Sequence, residues 1–436
     1  MSKFLGYRCS LCGTEYLPDQ VPYNCPADGG NLDVVLDLDR IKRENTPDSL
    51  RGSGEQRSGS RRLDDHSLWR YLPLLPVSDP GGEGTPLRAA GFTPIFSPPR
   101  LAESLGLKHL WIKDESRNPT ASFKDRASAL AVARAREIGA DVIVTASSGN
   151  AGAALAGMSA AVGQKAIIFV PRTAPPAKVA QLLIYGSTVL LVDSTYDDAF
   201  DLSLEAAHEF GWYCRNTGYN PFTLEGKKTA AFEIWEQLGL IGDRLIGDWS
   251  TSNQSTDQPI TIFVSVGDGN IISGIHKGFK DLLALGWIEQ MPRLFGVQAE
   301  GSAAVANAFR AGVEVITPVE ARTLADGISV GLPRDGVRAI RAATQTRGGY
   351  VTVSDEQILA AMGALGKAGI FAEPAGAAGY AGLVKAVEQG WIGPDDPVVV
   401  INTGSGLKDV GAAMKVVSAA PVIEPSLKAV KTALKL

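Results

Sequence analysis

Four short stretches combine glycine with lysine, asparagine, serine or threonine in a way that suits a small polar ligand. They are NPTASFKDR (118–126), TASSGNAG (145–152), VGDGNIISG (266–274) and NTGSGLKD (402–409). In the first, Lys124 stands where a helix is predicted to open at Asp125. An ammonium there is opposed by the positive end of the helix dipole. A lysine held as an imine with a cofactor escapes part of that cost. In the second, Ser147, Ser148, Gly149, Asn150 and Ala151 lead into a run of small residues. Backbone N–H groups at such a helix start make an anion site suited to a substrate carboxylate, and the Asn150 amide can donate to a phenolate oxygen. The third stretch sets Gly267, Asp268, Gly269, Asn270 and Ile271 at another helix start, where backbone donors can wrap a phosphate. No P-loop lysine accompanies it, so a nucleotide triphosphate is not expected. In the fourth, the neutral hydroxyl of Thr403 or Ser405 can face a ring nitrogen. Each stretch alone reads as a structural turn.

Strands must present these loops. The apolar runs HLWIK (109–113), DVIVTA (141–146), KAIIFV (165–170), TVLLV (188–192), ITIFVSV (260–266), RLFGVQA (293–299) and PVVVIN (397–402) alternate with helical segments. Those segments include ASALAVARAREIG, AGAALAGMSAAVG and QILAAMGALGKAG. Strands apolar along their whole length, separated by helices, predict mostly parallel sheets covered on both faces. Ligands of such α/β folds sit beyond the carboxyl ends of the strands. The length, 436 residues, predicts at least two domains.

The first forty residues differ. They hold Cys9, Cys12 and Cys25 and end in LDVVLDLD, a small β-rich knuckle. Asn45 to Arg62 is polar and aperiodic, a flexible linker, and DWSTSNQSTDQP (248–259) reads as a surface loop. A net charge of −5 leaves no footprint for nucleic acid. No apolar run is long enough to span a membrane, and the start MSKFLGYRCS does not read as a signal peptide. Four cysteines in a chain of this size do not make a disulfide framework. A cytoplasmic location is expected, and Cys214 reads as a small buried hydrophobe.

Taken in order and spacing, SFKDR, SSGNAG, VGDGNIISG, EPAGAA and TGSGLKD resemble the fold-type-II family of pyridoxal-phosphate enzymes, and within it the threonine synthases. EGTPL, LWRYLPLLPV, LEGKKTAAFEI and the cysteine knuckle ending in GGNLDV are similar to segments of that family. The resemblance implies a carbon–oxygen lyase of threonine biosynthesis that converts O-phospho-L-homoserine and water to L-threonine and phosphate. It implies that Lys124 carries pyridoxal 5′-phosphate and moves protons, and that Asn150 contacts the cofactor O3′. Gly267, Asp268, Gly269, Asn270 and Ile271 would hold the cofactor phosphate and Thr403 the pyridine nitrogen. Ser147, Ser148, Gly149 and Ala151 would embrace the substrate carboxylate, and Lys178 would meet the substrate phosphate. The implied plan is a knuckle at 1–44, a linker at 45–62, a large cofactor domain at 63–126 and 225–420, a small substrate domain at 127–224 and a tail at 421–436. Members are often dimers, so a homodimer is compatible with the resemblance.

Three departures bear on the substrate. Ala151 follows SSGN where threonine synthases commonly have threonine. Thr223, in NPFTLEGKKT, stands where many members carry an arginine for the substrate phosphate. Losing a bidentate arginine changes recognition, and Lys178, Lys227 and Lys228 are the candidate replacements. A serine or threonine deaminase, or an O-phosphoserine β-replacement enzyme, is therefore the alternative. Lastly, the knuckle pairs C-x-x-C with C-x-x-D (Cys25, Asp28). Three thiolates and a carboxylate are an unusual zinc set, so zinc stands beside a metal-free knuckle held by packing, and no metal ligand is assigned.

Overall fold

The computed structural model describes residues 3–21, 23–51, 66–245 and 259–436. Each of the seven apolar runs forms a strand, and they separate into two sheets. The larger runs in the order Gly349–Val353, Arg293–Ala299, Thr261–Ser265, Val398–Asn402, Leu110–Asp114 and Ile95–Phe96. Its first five strands pair in parallel, and only Ile95–Phe96 is antiparallel. The smaller runs Thr188–Val192, Lys165–Pro171, Val142–Ala146 and Tyr213–Cys214, all parallel. The central strands Thr261–Ser265 and Val398–Asn402 are buried at every residue. Helices therefore cover both faces, as the uninterrupted apolar runs required.

The carboxyl ends of both sheets face one cleft. Val142–Ala146 delivers Ser147, Tyr213–Cys214 delivers Arg215, Thr261–Ser265 delivers the 267–271 loop, and Val398–Asn402 delivers Thr403. Helix Lys124–Glu137 packs against both helix Asn150–Ala160 and helix Pro221–Leu245, tying the two sheets together.

The knuckle is a three-stranded antiparallel sheet of Glu15–Tyr16, Phe4–Cys9 and Leu32–Leu36. Its aromatic residues lie on the body: the Phe4 ring meets Phe222 edge-on at 5.7 Å. The segment read as a linker begins with a short helix, Pro47–Arg51, and its residues 52–62 lie outside the described part. The insert at 248–259 likewise falls outside it, except for its last residue. The terminal tail contains a helix, Leu427–Leu434, with no buried residue. Among the described residues no helix is long and apolar enough to cross a membrane.

Candidate active site

Lys124 opens its helix on a turn held from several sides. Ala121 adopts a left-handed φ of 65°, a strained conformation for a residue with a Cβ. The Phe123 N–H donates to the Thr403 carbonyl at 2.9 Å, and Ser405 N–H to the Ala121 carbonyl at 3.1 Å. The charges flanking the lysine are structural. The Asp125 carboxylate accepts from the Thr120 N–H at 2.6 Å. Arg126 forks onto Glu115 at 2.7 and 2.8 Å and also pairs with Glu233, which holds Lys113 at 2.7 Å. All four members of this network are fully buried. Removing one would strand its partner, at a cost of about 3–5 kcal/mol. Lys124 alone of the trio is turned to the cleft, where burial lowers its pKa and Arg215 adds to the effect, with Asp268 and Glu373 opposing. A lysine amine that loses its proton easily is a nucleophile for carbonyl groups.

The cleft encloses a cavity of about 550 Å³, within the range of small-molecule and cofactor sites. The structure brings together on its wall nearly the whole predicted set. Lys124, the Ser147–Ala151 turn, the Gly267–Ile271 loop and Thr403 all line it. Gly269 has a φ of 91°, and a Cβ there would stand 2.7 Å from the Asp335 carbonyl oxygen. The loop thus needs glycine to point its N–H groups outward at the start of helix Asn270–Leu285, a ready anion seat. The Asn270 side chain is occupied behind the loop: it donates to Asp335 at 2.7 Å and accepts from Lys227. Burial raises the Asp268 pKa, and Lys124 is the chief group holding it down.

Lys178 is placed differently from the rest of that set. It lies on the rim, paired with Asp326, beside a smaller recess that also touches Lys408 and Glu373. Of the other cations weighed against Thr223, Lys228 is bound to Glu225 and Asp281, the latter at 2.8 Å, and does not line the cavity. Lys227 is buried behind the loop on Asn270. The Thr223 hydroxyl donates to the Asn220 carbonyl at 2.7 Å.

Two residues escaped the sequence reading. Arg215 lies at the end of the short strand Tyr213–Cys214 and lines the cavity although the residue is fully buried. Its Nε donates to Ser128 at 3.1 Å and its Nη1 to Thr217 at 2.8 Å, but Nη2 has no partner. Burial brings its pKa down to about 10, so it remains charged at neutral pH. The second is Glu373, which accepts from the Asn150 amide at 2.7 Å across the cleft. Burial pushes its carboxyl up to about 7, with Asn150, Lys408, Lys124 and Lys178 holding it lower. The signal for Arg215 was an arginine closing the apolar segment WYC; for Glu373 it was the acid heading EPAGAA.

A carboxyl whose folded pKa is raised binds its proton more tightly in the folded chain. The stability it contributes is complete below its ordinary value of 4.5 and is lost as pH rises to about 7. Glu373→Gln mimics the protonated form. In thermal melts of the cofactor-free protein, Tm of the wild type should fall more steeply than that of the variant between these pH values. Parallel slopes would remove Glu373 from this role.

The residues present fit pyridoxal phosphate on three counts: an easily deprotonated lysine in a cavity, a glycine-built anion seat, and the neutral side chains of Asn150 and Thr403 on the same cavity wall. The chain belongs to the pyridoxal-phosphate dependent enzyme family, whose model matches residues 87–404. Relatives matched along nearly the whole chain include threonine synthases. That of Methanocaldococcus jannaschii is 37% identical over 431 residues, 98% of this chain and 99% of that one. That of Methanosarcina acetivorans is 36% identical and covers 98% of each. Among solved structures, the processed form of threonine deaminase isoform 2 from Solanum lycopersicum matches with a TM-score of 0.63. It is 24% identical, with 80% of this chain and 87% of that one covered, and this likeness concerns the fold alone.

Proposed function

We propose that this lyase holds pyridoxal 5′-phosphate on Lys124 and converts O-phospho-L-homoserine and water to L-threonine and inorganic phosphate. The observation that carries the reading is Arg215, a buried guanidinium on the cavity wall with one nitrogen unpaired. Among the described residues it has no carboxylate at ion-pairing distance, so the cavity is built to receive an anion there. We assign it the substrate phosphate, the task for which Thr223 has no charge.

The bound cofactor supplies the electron sink for negative charge at the substrate Cα. The protein supplies placement and proton transfer. The Gly267–Ile271 loop would seat the cofactor phosphate, Asn150 would contact O3′, and Thr403 would offer a neutral hydroxyl to the ring nitrogen. A neutral hydroxyl there, unlike a carboxylate, would not hold that nitrogen firmly protonated and would favour elimination over transamination. The Ser147–Ala151 turn, at the start of helix Asn150–Ala160, takes the substrate carboxylate. The Lys124 amine would serve as the base, taking a proton from the substrate Cα and then one from Cβ. Phosphate would leave Cγ toward the unpartnered Nη2 of Arg215, water would add at Cβ, and protons would return to Cα and Cγ. Residues 127–224 act as the small unit that carries the substrate, and Lys178 joins the phosphate site if it releases Asp326. Four cysteines in a chain of this length make no disulfide framework, which supports a cytoplasmic enzyme.

The test is a parallel steady-state assay of the cofactor-loaded protein on O-phosphohomoserine, O-phosphoserine, threonine and serine. Threonine and phosphate formed in equal amounts from O-phosphohomoserine are expected. Keto acid from threonine or serine, without threonine synthesis, would move the enzyme to the deaminases and make Ala151 and Thr223 the residues to examine.

A further inference from the structure

The knuckle brings its three cysteines and one aspartate to a single point. One Sγ each from Cys9, Cys12 and Cys25 and a carboxylate oxygen of Asp28 all lie within 4.8 Å of one another. Thiolates about 2.3 Å from a common tetrahedral centre are about 3.8 Å apart, and a thiolate and a carboxylate oxygen about 3.5 Å apart. Cys12 Sγ and Cys25 Sγ are separated by 3.8 Å, and Cys9 Sγ lies 3.3 and 3.5 Å from the two Asp28 oxygens. A disulfide would need the first pair of sulfurs at about 2.05 Å, and would leave a thiol and a carboxylate crowded together beside it.

The two ligand turns are built alike. Gly13 N–H donates to the Cys9 carbonyl at 3.1 Å, and Gly29 N–H to the Cys25 carbonyl at 2.8 Å. Both glycines have left-handed φ, 75° and 70°. In the first turn the Leu11 N–H points at Cys9 Sγ, at 3.3 Å; in the second the Gly30 N–H points at the Asp28 carboxylate, at 2.8 Å. The aspartate thus occupies the place of a fourth cysteine. Gly30 is packed so closely that a Cβ would come 2.8 Å from Cys9 Sγ and 2.9 Å from Asp28 Oδ1. The Tyr16 hydroxyl stands 3.0 Å from Cys25 Sγ, an outer-shell contact of the kind that orients metal ligands.

We propose that Cys9, Cys12, Cys25 and Asp28 bind one zinc-class divalent cation as a structural site, the three thiols releasing their protons to solvent on binding. The site is coupled to the cavity by residues beside the ligands. The Tyr23 hydroxyl accepts from the Cys214 N–H at 2.7 Å, and the Asn31 amide donates to the Gly218 carbonyl and, at 3.2 Å, to that of Arg334. These contacts grip both sides of Arg215. The metal site does not rest on the reaction proposed above.

The experiment is metal analysis of the full chain grown with zinc, with Co(II) substitution read in the visible spectrum. About one zinc per chain is expected, with Co(II) giving tetrahedral bands and thiolate charge transfer. Asp28→Cys should keep one zinc and release it to a chelator about tenfold more slowly, since a thiolate suits this cation better than a carboxylate. Cys9→Ser should fall well below one equivalent; if that variant is insoluble, the wild-type cobalt spectrum decides. Neither zinc nor a thiolate–cobalt band in the wild type and Asp28→Cys would overturn the proposal. So would a Cys12–Cys25 disulfide in the freshly purified protein.

Discussion

Lys124→Ala should abolish the visible imine absorbance of the cofactor-loaded protein and lower kcat by about 1,000-fold or more. The variant loses both the covalent tether and the group that moves protons at Cα and Cβ, and acid–base catalysis alone contributes about 100- to 10,000-fold. The fold should not suffer. A cation at the first residue of a helix is unfavourable by about 0.3–1 kcal/mol, and this one is also pushed toward its neutral form by burial. The helix is anchored instead by Asp125 on Thr120 and by Arg126 on Glu115 and Glu233. Thermal melts without cofactor should therefore show Tm unchanged or higher. Full activity in the variant would sink the assignment of Lys124; a collapse of Tm would assign it to the fold instead.

Much of this architecture was legible because buried parallel strands write themselves as unbroken apolar runs. ITIFVSV and PVVVIN could hardly be anything else, and both are central. The strands that escaped are those whose existence depends on a neighbour. Tyr213–Cys214 has only two residues and is a strand because Ile143 and Val144 lie beside it. Ile95–Phe96 exists by pairing with Ile112 and Lys113. Gly349–Val353 begins on the second of two adjacent glycines and is paired along its length with Phe295–Ala299.

The same distinction applies to the site. The glycine loops were visible because a backbone anion seat at a helix start has a local composition. Lys124 was visible because its charge conflicts with its position. Glu373 was hidden because the residue before a helix proline reads as an ordinary helix start, which it also is. Only the fold brings it to Asn150, 223 residues away in sequence. The knuckle is intermediate: the spacing named its four donors, but their convergence, and the place of Asp28 in it, required coordinates.

Arg215 was the least legible of all, and its replacement is the sharper test of what the cavity binds. Arg215→Met should lower kcat/KM for O-phosphohomoserine by about 100-fold, the roughly 3 kcal/mol that a buried charge-assisted phosphate contact is worth. Turnover of any unphosphorylated amino acid the enzyme accepts should change little. Stability argues from the other side. In the ligand-free protein Arg215 is a buried cation without an anionic partner, and replacing such a charge by an apolar side chain of similar volume is often neutral or stabilising. The bonds forfeited are two to hydroxyl oxygens, Ser128 and Thr217. The variant should thus melt at or above the wild-type Tm while losing the phosphorylated substrate. Arg215→Lys, which keeps the charge but not the bonds to Ser128 and Thr217 that aim it, should recover part of the loss. A variant that melts early and slows every substrate equally would make Arg215 a prop of the cleft, and the search for the phosphate ligand would return to Lys178 at the rim.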